Sequence, residues 1–399
     1  MTDPHTDFRS EPPATVSAPV ADVPYVPHIL IVGAAGRNVG KTSLSCAIIQ
    51  HVSRTRPIVG VKVTTVEDHA GGCPRGDEGC GVCESLVGPW SITEETAPPE
   101  GKDTARLLDA GASAVFWLRV HSDRLADGVR ALLDRLPKDV PVVCEGNRLR
   151  TAVEPGLFVV VHKRGSDRMK PSCRSVWSLA DAAIPSDDGR PAVRAEAFGL
   201  QDGRWTFRRR ATAVVLAGGR SRRMGRDKAL LEVDGRPLIQ RIVDRLRPHF
   251  ERVVVSADDA AKYAFLDLEV IPDQDPDQGP MMAIASTLLR SPHDLNFYVP
   301  CDLPDIPLRL MARLLRHGRT GGGADIVVPI TPKGRYEPLF AVYRKTALPV
   351  IERHLAAGER KIIQVYEDCS TVTVPLQGAA GLENVNTMAD YLRLPGARP

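Results

Sequence analysis

No apolar run in the chain is long enough to cross a bilayer, which takes about 20 consecutive apolar residues. A large excess of charge of one sign is also missing. The net charge is only +3 over 399 residues, which gives no electrostatic argument for nucleic acid or an anionic membrane as partner. The opening segment carries Asp3, Asp7, Glu11 and Asp22 with several prolines and no apolar centre, so it does not read as a signal peptide. Residues 1–26 are expected to be a disordered lead-in, and a cytoplasmic location follows by default. No short-period repeat and no convincing Ser-His-Asp set is present. Of the eight cysteines most are scattered, and in a reducing compartment such thiols stay free.

What is present is a unit that occurs twice. His28-Ile-Leu-Ile-Val-Gly33 leads into the helical pattern Thr42-Ser-Leu-Ser-Cys-Ala-Ile-Ile49, and Ala213-Val-Val-Leu-Ala217 leads through Gly218-Gly219 to Ala229-Leu-Leu231. A buried strand, a glycine-rich turn and a helix open an α/β nucleotide-binding domain. Two such openings predict two domains, at 27–205 and 210–399, joined somewhere between Ala197 and Arg210. The stretch Ile184-Pro-Ser-Asp-Asp-Gly-Arg-Pro191 reads as loop before the junction. In the second half strands are expected at 252–256, 296–299, 325–329 and 340–343. Helices are expected at 238–246, 280–289 and 308–317. That alternation predicts a mostly parallel sheet with both faces covered.

Gly36-Arg-Asn-Val-Gly-Lys-Thr-Ser43 holds the Gly-Lys-[Ser/Thr] core of a phosphate-binding loop, with Ala35 where the full pattern has glycine. Amides at a helix start surround an anion, Lys41 reaches the terminal phosphates and the Thr42 hydroxyl can bind Mg²⁺; Gly40 lets the chain turn. A glycine-rich turn with a surface lysine is the plainer alternative. Asp103 is a candidate second carboxylate on the Mg²⁺ side or an ordinary surface aspartate. Glu145 follows the apolar run 140–144, where strand-end carboxylates often face phosphates. Between these lies His69-Ala-Gly-Gly-Cys-Pro-Arg-Gly-Asp-Glu-Gly-Cys-Gly-Val-Cys83. Cys80 and Cys83 have the spacing that lets two thiolates share an ion, and Cys73 and His69 could complete the set. Zinc, an iron–sulfur cluster and free thiols all stay open. The first half, over about 28–165, resembles the P-loop adaptor proteins of molybdopterin-guanine dinucleotide synthesis. The likeness rests on the loop, on Gly60-Val-Lys62 and on Gly101-Lys-Asp-Thr104 followed by Ala110-Gly-Ala112, and implies GTP binding.

The second turn, Leu216-Ala-Gly-Gly-Arg-Ser-Arg-Arg-Met-Gly-Arg-Asp-Lys-Ala-Leu-Leu231, is not a P-loop, because no Gly-Lys-Thr follows. Gly218 and Gly219 have no Cβ, so their amides can approach phosphates, and Arg223 and Lys228 add fixed positive charge for a triphosphate. The run resembles the signature of molybdenum cofactor guanylyltransferases, in which Leu216, Ala217, Gly218, Gly219 and Lys228 hold the nucleotide. Asp273 before Gln278-Gly-Pro280, the turn Pro300-Cys-Asp-Leu-Pro304, Glu337-Pro-Leu-Phe-Ala341 and Asn384-Val-Asn-Thr387 match that family's later motifs in order.

The resemblance implies a Rossmann-like nucleotidyltransferase fold of the nucleotide-diphospho-sugar transferase type over 212–394. It implies GTP as substrate and molybdopterin as acceptor. Asp302, after a predicted strand, is the expected Mg²⁺ ligand, with Lys228 and Arg223 on the phosphates. The acceptor phosphate is already anionic, so no strong general base is needed. Asp273 could accept the guanine N1–H and N2–H. Gly218-Gly219 favours GTP over CTP by resemblance. Asn384 and Asn386 would lie toward the pterin, and Arg222 or Lys345 would take its phosphate or a tungstate or molybdate centre. Two departures stand out: Met281-Met282-Ala283 replaces the usual Leu-Ala-Gly, and Asp258 stands near a customary asparagine. A cytidylyltransferase or sugar-phosphate guanylyltransferase of the same fold is the alternative enzyme. A GTP-dependent protein delivering cofactor to apo-molybdoenzymes or their chaperones is the alternative of another class.

Overall fold

The computed structural model describes residues 23–66, 86–218, 227–318, 323–376, 382–385 and 387–397. Cys73, Cys80, Cys83 and His69 lie outside them, as do Gly219, Arg220, Arg222, Arg223 and Asn386. Two large sheets are present, each with its own two-sided core.

The first sheet is built from β1 (Tyr25–Ala34), β2 (Val59–Val66), β3 (Trp90–Glu94), β4 (Ala114–His121), β5 (Val142–Glu145), β6 (Glu154–Lys163), β7 (Ala182–Asp187) and β8 (Arg190–Pro191). Their order is β3-β4-β2-β5-β1-β6-β7-β8, parallel except for the antiparallel edges β3 and β8. The apolar run of β1 is continuous because each face has its own cover. Ile29 and Ile31 enter one core, while Leu30 and Val32 enter the other. Helices α1 (Lys41–Val52) and α2 (Asp103–Asp109) cover one face, and α3 (Leu125–Arg135) with the short α4 (Pro171–Arg174) the other.

A hairpin of β9 (Phe198–Gln201) and β10 (Arg204–Phe207) follows. Its Phe198, Trp205 and Phe207 are buried in the first half's core, and the Trp205 indole donates to the His28 carbonyl at 2.8 Å. A limit at residue 205 therefore cuts through a strand. The signal was missed because the hairpin is short and broken by Asp202-Gly203, so it resembles a polar linker. Only Arg208 separates β10 from the next strand.

The second sheet contains β11 (Arg209–Leu216), β14 (Phe250–Ser256), β15 (Val270–Ile271), β16 (Leu295–Pro300), β17 (Ile326–Ile330), β18 (Val342–Arg344) and β19 (Thr371–Pro375); a small ribbon, β12 (Glu232–Val233) with β13 (Arg236–Pro237), stands apart. The order is β15-β14-β11-β16-β18-β17-β19. The sheet is mostly parallel, as the alternation of strands and helices predicts, with β18 alone running antiparallel to both its neighbours. That reversal brings the segment entering β18, Glu337 to Ala341, to the edge where the parallel strands end. Helices α5 (Leu238–Leu246), α6 (Pro280–Arg290), α7 (Leu308–His317) and α8 (Leu348–Ala356) pack on the faces, and α9 (Met388–Leu392) lies near the C-terminus. Phe297 of β16 stacks on Phe250 with centroids 5.7 Å apart and meets Phe340 edge-on at 5.0 Å. Among the described residues no helix is long and apolar enough to cross a membrane.

Candidate functional site

Ligands of parallel α/β sheets bind where the strands end, because the turns there expose helix starts and strand-end side chains. Both glycine-rich turns lie at such an edge.

At the first, Gly40 caps α1 with φ +93°, a left-handed conformation, and a Cβ there would lie 2.3 Å from the Gly189 carbonyl oxygen. The turn is therefore clamped under the β7–β8 hairpin. Lys41, the first residue of the helix, forms an ion pair with Glu145 at the end of β5. The Glu145 carboxylate is fully buried, and its Oε1 has no hydrogen-bond partner among the described residues. The Thr42 hydroxyl donates within 3.2 Å of Asp103 Oδ1 and 3.3 Å of Glu145 Oε2. Lys62 Nζ donates to Asp103 Oδ2 at 2.6 Å. Burial opposes ionisation of Asp103, but the Lys62 hydrogen bond and charge, with Lys41, hold its carboxyl below the ordinary range. Gly40, Lys41, Thr42, Asp103 and Glu145 thus form one cluster. The sequence reading missed Lys62 as a side chain of this cluster, although Gly60-Val-Lys62 had been singled out as a motif.

At the second turn, Leu216 and Ala217 are buried at the end of β11. The Leu216 carbonyl accepts from Cys301 N–H, Ala217 N–H donates to Ser256 O, and the Ala217 carbonyl accepts from the Tyr263 hydroxyl at 3.2 Å. Gly218 follows, and among the described residues a Cβ on it would meet nothing nearer than the Ser256 carbonyl at 3.9 Å. Lys228 starts a short 3₁₀ turn capped by Asp227, whose carboxylate accepts from Ala229 N–H at 2.9 Å. Lys262 pairs with the same Asp227. The Lys262–Asp227–Tyr263 network that carries Lys228 was missed; an aspartate just before the key lysine is its one trace in the sequence.

Lys228 Nζ lies 3.2 Å from Asp302 Oδ2, each side chain 19% exposed. Asp302 follows β16, and its carbonyl accepts from Val385 N–H at 2.8 Å, which brings Asn384 alongside. Its Oδ1 is buried with no hydrogen-bond partner among the described residues. Asp273, just beyond β15 on the same edge, has its carboxyl pushed up to about 6 by burial and by the neighbouring charge of Asp258. The departure at Asp258 thus acts directly on Asp273. Burial likewise raises the Glu337 carboxyl, against the Arg335 charge. Met281, at the other departure, is buried in the core below α6 and leaves the helix start at Pro280 intact.

Lys345 is not part of this site. Its Nζ donates to the Ser291 carbonyl at 2.6 Å and its amide to Asp294 O, at the opposite end of β16. Six residues of strand put it about 20 Å from Asp302.

A family model described as the MobA-like NTP transferase domain matches residues 213–371. A probable molybdenum cofactor guanylyltransferase of Carboxydothermus hydrogenoformans is 36% identical over 190 residues, covering 46% of this chain and 94% of the relative. The chain belongs to the molybdenum cofactor guanylyltransferase family. It is a nucleotidyltransferase by that membership. The guanylyltransferase of Serratia proteamaculans is 32% identical over 186 residues, 46% of this chain and 92% of the relative. A solved structure, the molybdopterin-guanine dinucleotide biosynthesis protein A of Archaeoglobus fulgidus, aligns with TM-score 0.39 and 25% identity over 45% of this chain and 94% of that one. The family model begins after the first sheet, so membership rests on the second half of the chain.

Proposed function

We propose that the second half transfers GMP from GTP to the phosphate of molybdopterin, releasing pyrophosphate. The observation that carries this is the Asp302 carboxylate. Lys228 holds one oxygen, and the other, buried at the strand-end edge, has no hydrogen-bond partner among the described residues. A hard divalent cation takes oxygen ligands of that kind, so the site fits Mg²⁺. When bound, the ion would offset charge at the α-phosphorus and on the departing pyrophosphate.

The chain's own residues supply position and charge. Gly218 admits a phosphate close to its backbone, and Lys228 stands over the polyphosphate, held by the Asp227 cap. Arg223 would add a second cation. A phosphate oxygen of the acceptor attacks the α-phosphorus of GTP, the bond to the β-phosphate oxygen breaks, and pyrophosphate leaves. The nucleophile is already anionic, so Asp302 and Lys228 need transfer no proton. Asp273, ionised above about pH 6, would accept from the guanine N1–H and N2–H.

For the first half we propose a P-loop NTPase-like domain, resembling the biosynthesis adaptor, that binds GTP through Gly40, Lys41 and Thr42. Thr42, Asp103 and Glu145 gather oxygens around Lys41, a donor set suited to Mg²⁺. The chain would then divide at Arg208, with the β9–β10 hairpin belonging to the first domain. The test incubates the protein with Mg²⁺, molybdopterin and each nucleoside triphosphate in turn. Guanine dinucleotide is expected from GTP. Faster product from CTP would replace this reading with the cytidylyltransferase one.

A further inference from the structure

A cavity of about 770 Å³ lies between the two halves, with walls from both. It is not the first phosphate loop. Its first-half wall includes Tyr25 and Glu154, at the starts of β1 and β6, the edge opposite Gly40. Its second-half wall is α7. One face of that helix buries Leu310, Met311, Leu314 and Leu315 in the core. The other presents Arg309, Arg313 and Arg316 to the cavity at helical spacing, so all three lie along one stripe. Residues 303–305, directly after Asp302, form one end of the cavity, and Arg209 with His249 lines the end near the start of β11.

Seven arginines line the cavity against four acids, Glu154, Asp181, Asp305 and Glu383, so it is electropositive. Arg150 faces it from the first half. Burial lowers the Arg316 guanidinium to about 10, with Asp181 opposing and Arg313 and Arg150 adding to the effect. Burial also lowers Arg150, where Asp181 and Glu154 oppose and Arg309 adds. Asp181 already accepts from Phe158 N–H at 2.8 Å, and Glu154 is engaged by Arg309 at 3.3 Å. Nearby, buried His249 is pushed down to about 3, first by burial and then by Arg209, Arg245 and Arg204. Gathering guanidinium groups from two domains in a half-buried space costs desolvation and repulsion, and an anion offsets both.

We propose that this cavity binds a phosphate-bearing small molecule between the halves, with Arg150 on one wall and Arg313 and Arg316 on the other. Arginine forks suit phosphate oxygens. The end lined by residues 303–305, next in the chain to Asp302, points to two sources of that phosphate: the pyrophosphate that transfer would release, or the acceptor's phosphate monoester. A ligand touching both walls would also tie the halves together.

The test titrates inorganic pyrophosphate calorimetrically into the full chain carrying Lys41→Ala and Lys228→Ala, which removes the phosphate-facing lysine of each turn. One site is expected. Adding R150Q and R313Q should weaken it about tenfold or more, while R150K, which keeps the charge, should weaken it far less. Displacement of the pyrophosphate by molybdopterin would assign the site to the acceptor phosphate; no displacement would assign it to the leaving group. Should the double substitution fail to fold, R309E on the same stripe but solvent-exposed supplies the same readout. No binding, or binding indifferent to these arginines, overturns the proposal whatever the nucleotide specificity of transfer proves to be.

Discussion

Lys41 and Lys228 each follow a glycine-rich turn at the end of a buried central strand, and each pairs with a carboxylate at the end of a neighbouring strand. Their partners differ. Glu145 is sealed in the first sheet, whereas Asp302 is 19% exposed beside the described end of the second turn. The glycines differ too. Gly40 is required by the fold, since its φ of +93° and the Gly189 carbonyl leave no room for a Cβ. Among the described residues Gly218 has open space. A glycine signal in sequence therefore mixes two causes: a backbone conformation that needs glycine, and room for another group to approach the backbone closely.

The sharpest way to break the comparison is at the two carboxylates. Asp302→Ala is expected to lower GMP transfer about a thousandfold or more, with the circular dichroism spectrum unchanged. Activity within tenfold of the parent would remove Asp302 from the mechanism. The corresponding loss at Glu145 should show as weaker nucleotide binding by the first half, not as lost transfer.

The two lysines come next. Lys228→Ala should cost transfer about a hundredfold. Lys41→Ala should weaken GTP binding at the first turn about tenfold or more while changing transfer little. A Lys41 variant as deficient in transfer as the Lys228 variant would mean one composite site rather than two independent ones.

This symmetry of strand, turn and lysine was fully legible in sequence, because apolar runs buried on both faces and glycines beside lysines are local features. So were α5 and α7, whose apolar residues recur at helical spacing and whose observed bounds match those expected. β14 and β16 begin earlier than the apolar patterning suggests, since Phe250 and Leu295 pair at the strand starts. The reversed β18 was not legible: strand direction depends on which edge the preceding loop leads to, and no local residue records that. Lys228 and Asp302 were each singled out in sequence, but their ion pair was not. Its support from Asp227, Lys262 and Tyr263 joins residues 36 apart and needed coordinates. The arginine stripe of α7 was not singled out in sequence, and only the fold shows that it faces a cavity shared with the first half of the chain.

The glycines give a smaller, mixed effect. Gly40→Ala should destabilise the first half by about 2–4 kcal/mol, from left-handed strain plus overpacking, seen as a lower unfolding midpoint. Gly218→Ala should leave stability within about 0.5 kcal/mol yet reduce transfer. If Gly218→Ala instead lowered stability as much as Gly40→Ala, open space at Gly218 would no longer argue for a ligand.

The smallest effect belongs to Asp273, which has no counterpart at the first turn. Burial, then Asp258, raise its carboxyl to about 6 in the folded protein, above its ordinary value. Protonation is therefore favoured by folding. Its ionised form costs stability above about pH 6, and the cost fades as pH falls through that value. Asp273→Asn should accordingly raise the melting temperature slightly at pH 8 and lose that advantage near pH 5. Function should move the opposite way. The carboxylate that would accept from guanine disappears below pH 6, so the KM for GTP should rise about tenfold between pH 7.5 and 5. In Asp273→Asn that rise should flatten, with the KM already high at pH 7.5. A parallel KM profile in parent and variant would detach Asp273 from the base and leave its raised carboxyl as a consequence of Asp258 alone.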